Sequence, residues 1–292
     1  MARPHILPRT TLTARVAALV LAVALAGPTM AQDAGRRVVS LGGAVTEIIY
    51  ALGEQDRLVA RDSTSTFPAE ATGLPDVGYV RALSSEGVLS VAPDMILAEE
   101  SSGPQETLDV LEAAQVPLVV VPDGYDGPAI RRKIEIVAEA LGVPEKGEAL
   151  AAEVEATLAE AVEGARPDQP VRVLFVLSMQ GGRIMAAGRG SSAEAIISLA
   201  GGVNALEGFN GYSQVSDEAV LEAAPEVILM MERGGDHGGD SADVLAHPVL
   251  GQTPAAESGA VLRLPGLLLL GFGPRTPEAV TALSSALKAA RP

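Results

Sequence analysis

The sequence predicts an α/β protein of two similar αβ lobes, each with a mainly parallel sheet, joined by one long helix that spans them. Three observations carry that expectation. Strand-like and helix-like segments alternate through most of the chain, which favours parallel strands covered on both faces. The stretch Leu83 to Ala98, LSSEGVLSVAPDMILA, lies without a gap on Val215 to Met230, VSDEAVLEAAPEVILM, 132 positions later. That spacing is a repeat at domain scale, far above the roughly 20 to 50 residues of a solenoid. Finally, Glu145 to Glu163 is rich in Ala, Glu and Leu with only Gly147 as an interior breaker, and predicts a helix roughly 30 Å long.

The elements follow in order. Residues 1–31 carry Arg3, Arg9 and Arg15 with no acid, then an apolar run from Val16 to Ala26 and a small-residue exit, the pattern of a signal peptide cleaved after Ala31. Residues 37–143 are the expected N-terminal lobe. In it Val38 to Leu41 is a first strand, and Gly42 and Gly43 lead into a helix from Ala44 to Leu52 with Val45, Ile48, Ile49 and Leu52 as its apolar stripe. Leu58 to Ala60, Met95 to Leu97 and Leu118 to Val121 are further strands, with helix-compatible segments at 84–91 and 105–114 between them. A helix from Gly127 to Leu141 breaks at Gly142 and Pro144, where the spanning helix, 144–165, begins. The C-terminal lobe, 166–292, has strands at Val171 to Leu177, Arg183 to Ala187, Val227 to Met231 and Val261 to Leu264, and helices at Ser191 to Leu199 and Pro277 to Ala290. Two lobes on one helix make a stiff hinge rather than a flexible double linker. The low-complexity patch 233–243 lacks the acid spacing of a calcium loop and reads as a loop.

Composition narrows the function. Of 292 residues 48% are hydrophobic, enough for packed cores. Loss of the three N-terminal arginines would take the formal charge from −16 to −19, which opposes binding to nucleic acid or anionic lipid. Cysteine is absent, which excludes disulfides, thiolate metal sites, Cys nucleophiles and an N-terminal lipid-modified Cys. An exported chain with neither anchor is expected free in the periplasm. Phosphate-binding, dinucleotide, serine-hydrolase and zinc-protease motifs are all missing, and beyond the leader only His237 and His247 remain for acid–base or metal work, so no enzyme is expected. With aromatics at 3% and no Trp, a sugar site is disfavoured too.

What remains is Tyr79 with Arg81, a phenol and a guanidinium at i, i+2, hence on one face if the backbone is extended. Haem iron can be held by a tyrosine oxygen, but only as phenolate, and a free phenol near pKa 10 supplies little of that at neutral pH. Iron and an adjacent cation both favour the charged form. Taken alone, a Tyr and an Arg in a loop also describe an ordinary solvated surface.

The segments LGGAVTEIIYALG, STSTFPAEATGLPDVGYVRALSSEGVLSVAPDMIL, AAGRGSSAEAIISLAGG and LLLLGFGPRTPEAV resemble the haemin-binding periplasmic proteins of bacterial ABC haem importers, within the cobalamin and siderophore binding-protein superfamily. The most specific element is LPxxGYxRxLSSEGxLSLxPD, matched from Leu74 to Asp94 with Val91 for the usual Leu. The resemblance implies a soluble, monomeric periplasmic receptor that binds ferric haem between its lobes and delivers it to a dimeric inner-membrane ABC permease, with an outer-membrane haem receptor as a source. A ferric siderophore or corrinoid on the same scaffold is the alternative, with an exported αβ enzyme ranked behind it. It implies that Tyr79 is the axial iron ligand and Arg81 its support. In the second lobe Arg233, just beyond the strand ending at Met231, is the candidate for contacting the porphyrin or its propionates, although a solvated loop arginine reads the same way. Met179 and Met231 could pack on the ring, but core filling is the favoured reading. Glu86 and Glu218, at matching places in the repeat, resemble the superfamily's paired acids that dock into the permease. Each also sits where an acid complements a helix N-terminus, and both roles can hold at once.

Overall fold

The computed structural model of the chain describes residues 37–232 and 241–290. The leader segment and Arg233 lie outside the described residues. Two sheets organise the rest. The first has strands β1 (Val38–Leu41), β2 (Leu58–Arg61), β3 (Met95–Glu99) and β4 (Leu118–Val121) in the order β2-β1-β3-β4, all parallel. Helices α1 (Gly43–Ala51), α2 (Ser85–Leu89), α3 (Gln105–Ala113) and α4 (Gly127–Ala140) belong to this half, and α5 (Pro144–Ala165) follows it as a single 22-residue rod.

The second sheet contains β5 (Val171–Ser178), β6 (Met185–Ala187), β7 (Gly202–Asn204), β8 (Tyr212–Gln214), β9 (Val227–Glu232) and β10 (Val261–Pro265) in the order β10-β9-β5-β6-β8, with β7 also on β5. Helices α6 (Ser192–Leu199), α7 (Asp217–Ala223), α8 (Ser241–Ala246), α9 (Pro254–Ser258), α10 (Gly266–Leu270) and α11 (Thr276–Ala289) cover it. Its pairings are parallel except β5 with β6 and β6 with β8. The sheets are mainly parallel, as expected, and the two antiparallel pairings have a simple reason. Six residues, with Gly181 and Gly182 at positive φ, turn β5 back into β6, and a link that short permits only an antiparallel return. Strands β7 and β8 and helices α8, α9 and α10 were not anticipated, being too short to show a period.

Alternation along the strands explains the layering. In β1 and β3, Val38 and Leu97 face one way and Val39, Leu41, Ile96 and Ala98 the other. In β5 and β9, Val171, Val173, Phe175, Val227 and Leu229 face one way and Leu174, Val176, Ile228 and Met230 the other. The first-named set from each sheet joins a single buried cluster with Ile130, Ile134 and Val137 of α4, Val154 and Leu158 of α5 and Val280 and Leu283 of α11. The outer faces have smaller cores of their own. Both sheets are therefore apolar on both sides, as covered parallel strands require, and their inner faces share one core through the α4, α5 and α11 layer.

The repeat is real in three dimensions. Ser84 and Ser216 each cap a short helix, accepting from the backbone N–H groups of Gly87 and Ala219. Ala92 and Ala224, at matching positions, both take up the left-handed region, with φ of 45° and 41°, before a proline. Each unit then feeds an interior strand of its sheet, β3 or β9.

Candidate functional site

Tyr79 sits in the loop between β2 and α2, and that loop is tied down from several sides. Arg61 pairs with Asp76 at 2.9 Å, and Asp76 in turn accepts from the Gly78 N–H at 2.8 Å. The Gly78 carbonyl accepts from Ser63, and the Val80 carbonyl and Leu83 N–H both bond to Gly103. Gly78 adopts φ of 108°, a conformation that strains any residue with a Cβ. Val77, Val80 and Leu83 point inward into the outer core of the first sheet. Tyr79 and Arg81 are thereby turned outward, with Tyr79 47% exposed. The expected extended backbone is in fact a turn, closed by Ala82 N–H donating to the Tyr79 carbonyl, so the two side chains are exposed on one short loop rather than aligned by strand alternation. Neither the Tyr79 hydroxyl nor the Arg81 guanidinium hydrogen-bonds to any described residue.

Residues from both halves meet beside this loop. Arg81 exerts its charge on Asp123 and Tyr125, which follow β4. Tyr125 stacks obliquely on Phe272 of the second half, ring centroids 5.1 Å apart. It also feels the phenol of Tyr212 on β8. Tyr212, 36% exposed, shares a hydrogen bond with the Ser192 hydroxyl at 2.9 Å and lies edge-on to Phe175. Deeper in, Arg275 of the second half pairs with the nearly buried Glu47 of α1 and stands 3.5 Å over the ring of Phe67. These contacts join the two halves beside the Tyr79 loop and gather Phe67, Tyr125, Phe272, Phe175 and Tyr212 there, more rings than a 3% aromatic content leads one to expect.

Carboxylates brought in from elsewhere in the chain hold the first-half rim. The start of α1 has no side-chain cap of its own, so Asp62 accepts from Gly42 N–H at 2.9 Å and Glu99 from Ala44 N–H at 3.0 Å. Glu99 presses on Gly42 so closely that a Cβ there would lie 2.3 Å from its Cδ. Burial, opposed by the charge of Lys133, raises the Glu99 carboxyl to about 7. Lys133, only 2% exposed, is pushed down by the same burial, with Glu99 and Asp123 opposing. Burial raises Asp123 and Tyr125 as well, so Tyr125 remains a neutral O–H donor.

The remaining candidates fall as follows. Glu86 and Glu218 are both exposed in the first turns of α2 and α7. Glu218 is held below the usual carboxylate range by its own backbone N–H and then by Ser216. His247 is structural: its Nδ1 accepts from the backbone of Val249, which leaves Nε2 to donate to Gly182. Among the described residues no three His, Cys, Asp or Glu converge as a metal cluster. Met231 packs on Gly266 at the start of α10.

Sequence reasoning missed Tyr125, Tyr212, Phe272 and Glu99. For Tyr212 a signal existed. Allowing one deletion, Gly211-Tyr212-Ser213-Gln214 before the second Ser cap lies on Gly78-Tyr79-Val80-Arg81 before the first. Both glycines are at positive φ and both tyrosines are exposed.

The chain matches the family described as periplasmic binding protein over residues 38–267. Among solved structures it is similar to the periplasmic heme-binding protein RhuT of Roseiflexus sp. RS-1, with 41% identity, a TM-score of 0.84 and coverage of 87% of this chain and 98% of that one. Another is the periplasmic heme-binding protein BhuT in complex with two hemes, with 40% identity, a TM-score of 0.83 and the same coverages. Among curated proteins it is 30% identical over 201 residues to the vitamin B12-binding protein of Vibrio campbellii, 68% of this chain and 72% of that one. It is 27% identical over 198 residues, 66% of this chain, to an uncharacterized ABC transporter substrate-binding lipoprotein of Bacillus subtilis, of whose length it spans 63%.

Proposed function

Because the chain belongs to the periplasmic binding protein family, we propose that it is a haem receptor: it captures ferric haem in a crevice between the two halves, holds the iron through the Tyr79 phenolate and hands the cargo to an ABC importer of the inner membrane. One observation carries this reading. Tyr79 is presented outward on a loop pinned on several sides, with the exposed Arg81 two residues on and no competing hydrogen bond among the described residues. Rigid presentation lowers the entropy lost when a ligand binds. An iron cation and a guanidinium both favour the deprotonated oxygen, so proton loss and coordination reinforce each other. The aromatic rings beside the loop offer flat apolar surface to a macrocycle. The heme-binding proteins BhuT and RhuT, matched over 98% of their own lengths, support the same ligand.

Arg233 is proposed to reach the porphyrin from the second half. Glu86 and Glu218, exposed on matching helices of the repeat, are proposed to dock with the two halves of a dimeric permease. The receptor itself transforms nothing; it works as a monomer in the periplasm after removal of residues 1–31, taking haem that an outer-membrane receptor has admitted. No helix of the described residues is long and apolar enough to cross a membrane.

The test is a titration of the processed chain with haemin, followed by absorbance. A tight complex with an iron–phenolate band is expected, and the band should vanish in Tyr79→Ala; undiminished affinity in that variant would sink the assignment. Glu86→Lys with Glu218→Lys should leave haemin affinity unchanged and stop uptake, and normal uptake would remove the docking role. The similarity to vitamin B12-binding proteins favours a second reading, a corrinoid ligand. Competition decides: excess cobalamin is expected to leave the haemin complex intact.

A further inference from the structure

We infer that Tyr125 determines specificity by donating its phenolic O–H to a carboxylate on the edge of the crevice ligand, beside Arg81, while its ring, backed by that of the buried Phe272, forms the wall on which the ligand's flat face rests. The inference builds on the haem reading. Haem carries two peripheral carboxylates, whereas a corrinoid periphery carries mainly amides, so a donor of this kind separates the two ligands that the scaffold's relatives suggest.

Position is the first support. Tyr125 interacts electrostatically with Arg81, from the loop that presents Tyr79, and with Tyr212 on the far side of the crevice. It therefore lies between the two tyrosine-bearing loops. Its ring touches Phe272 of the second half, and its hydroxyl bonds to none of the described residues. A half-buried phenol with no partner is a donor in waiting.

Rigidity is the second. Gly124 brings the loop so close to α4 that a Cβ would lie 2.4 Å from that of Ala129, and Asp126 caps α4 by accepting from Ala129 N–H at 2.8 Å. Phe272, fully buried, is held at φ of 49°, a conformation an aromatic residue adopts only when its surroundings impose it. The wall is thus fixed from both halves. Charge is the third. A carboxylate arriving beside Tyr125 meets Arg81, with Asp123 and Glu99 opposing, and burial keeps the phenol protonated so that it donates. Hydrogen bonds to a carboxylate are about twice as strong as those to a neutral acceptor.

Haemin and its dimethyl ester, in which both carboxylates are masked, are titrated against the unaltered chain and Tyr125→Phe, which keeps the ring and its packing. The unaltered chain is expected to prefer haemin. In the variant haemin affinity should fall about tenfold while ester affinity and the iron–phenolate band stay put. Equal losses for both ligands would make Tyr125 a packing residue, and no loss for either would make it a bystander; each outcome overturns the inference and leaves the haem reading standing. Failure of the unaltered chain to bind either ligand would remove both together.

Discussion

The two Gly-Tyr loops are variations on one unit, and their differences separate a presenting loop from a supporting one. In the first half Gly78 leads to Tyr79 with a free hydroxyl and Arg81 two residues on. In the second, Gly211 leads to Tyr212 with its hydroxyl spent on Ser192, and Gln214 stands where the arginine was. The same duplication puts Glu99 at the end of β3 against Met231 in β9. Within this unit a cation, an acid raised by burial and a phenol bonded to none of the described residues stand in the first half, against a glutamine, a methionine and a committed phenol in the second. A duplicated scaffold has been made chemically lopsided, and a ligand with one metal and one preferred axial donor needs no more.

The most direct way to break this comparison is to exchange hydroxyls for hydrogens. Tyr79→Phe should weaken haemin binding at least about a hundredfold and abolish the charge-transfer band, whereas Tyr212→Phe should cost only a few-fold. Equal losses in titrations of the two variants would mean that the halves share the iron. Next in size, Arg81→Gln makes the first loop resemble the second; haemin affinity should drop about tenfold, and the band should require a higher pH to develop, since less positive charge then favours the phenolate. An unmoved pH midpoint would deny Arg81 its part.

Backbone substitutions sharpen the comparison in smaller steps. Gly78→Ala meets no neighbour within 4 Å, yet φ of 108° is poorly tolerated by alanine, so urea denaturation should show a loss of about 1 kcal/mol, with a matching decline in haemin affinity. At Gly211, with φ of 69°, alanine is expected to lower stability by less and leave affinity alone. Smallest is the effect of Glu99→Gln. The folded chain retains this proton up to about pH 7 while the unfolded chain releases it near 4.5, so the group's contribution makes stability fall as pH rises through that window. The glutamine, which still accepts from Ala44, should flatten that decline and gain no more than about 1 kcal/mol above pH 7, because Lys133 loses a counter-charge at the same time. Urea curves at pH 5 and 8 that shift equally in the variant would contradict this.

Much of the architecture was legible because it is written locally. The strand edges at Val38, Leu58, Met95, Leu118, Val171, Val227 and Val261, the rod from Pro144 and the Ser-capped repeat units all announce themselves within a few residues. Tyr79 and Arg81 were singled out through a motif of fixed spacing, and both stand exposed on one pinned loop. The rest of the crevice was not, because it depends on distant meetings: Tyr125 with Phe272, Arg275 with Glu47, and Ala44 with Glu99 each join residues more than 50 positions apart. Tyr212 escaped because a single deletion shifts it out of the ungapped register that revealed the rest of the repeat.

The buried layer shared by the two sheets has a mechanical meaning. Val38, Leu97, Phe175 and Leu229 belong to one buried cluster with side chains of α4, α5 and α11, so swinging one half away from the other would open close-packed apolar surface. Calorimetry should then record one melting peak for the whole body, not two.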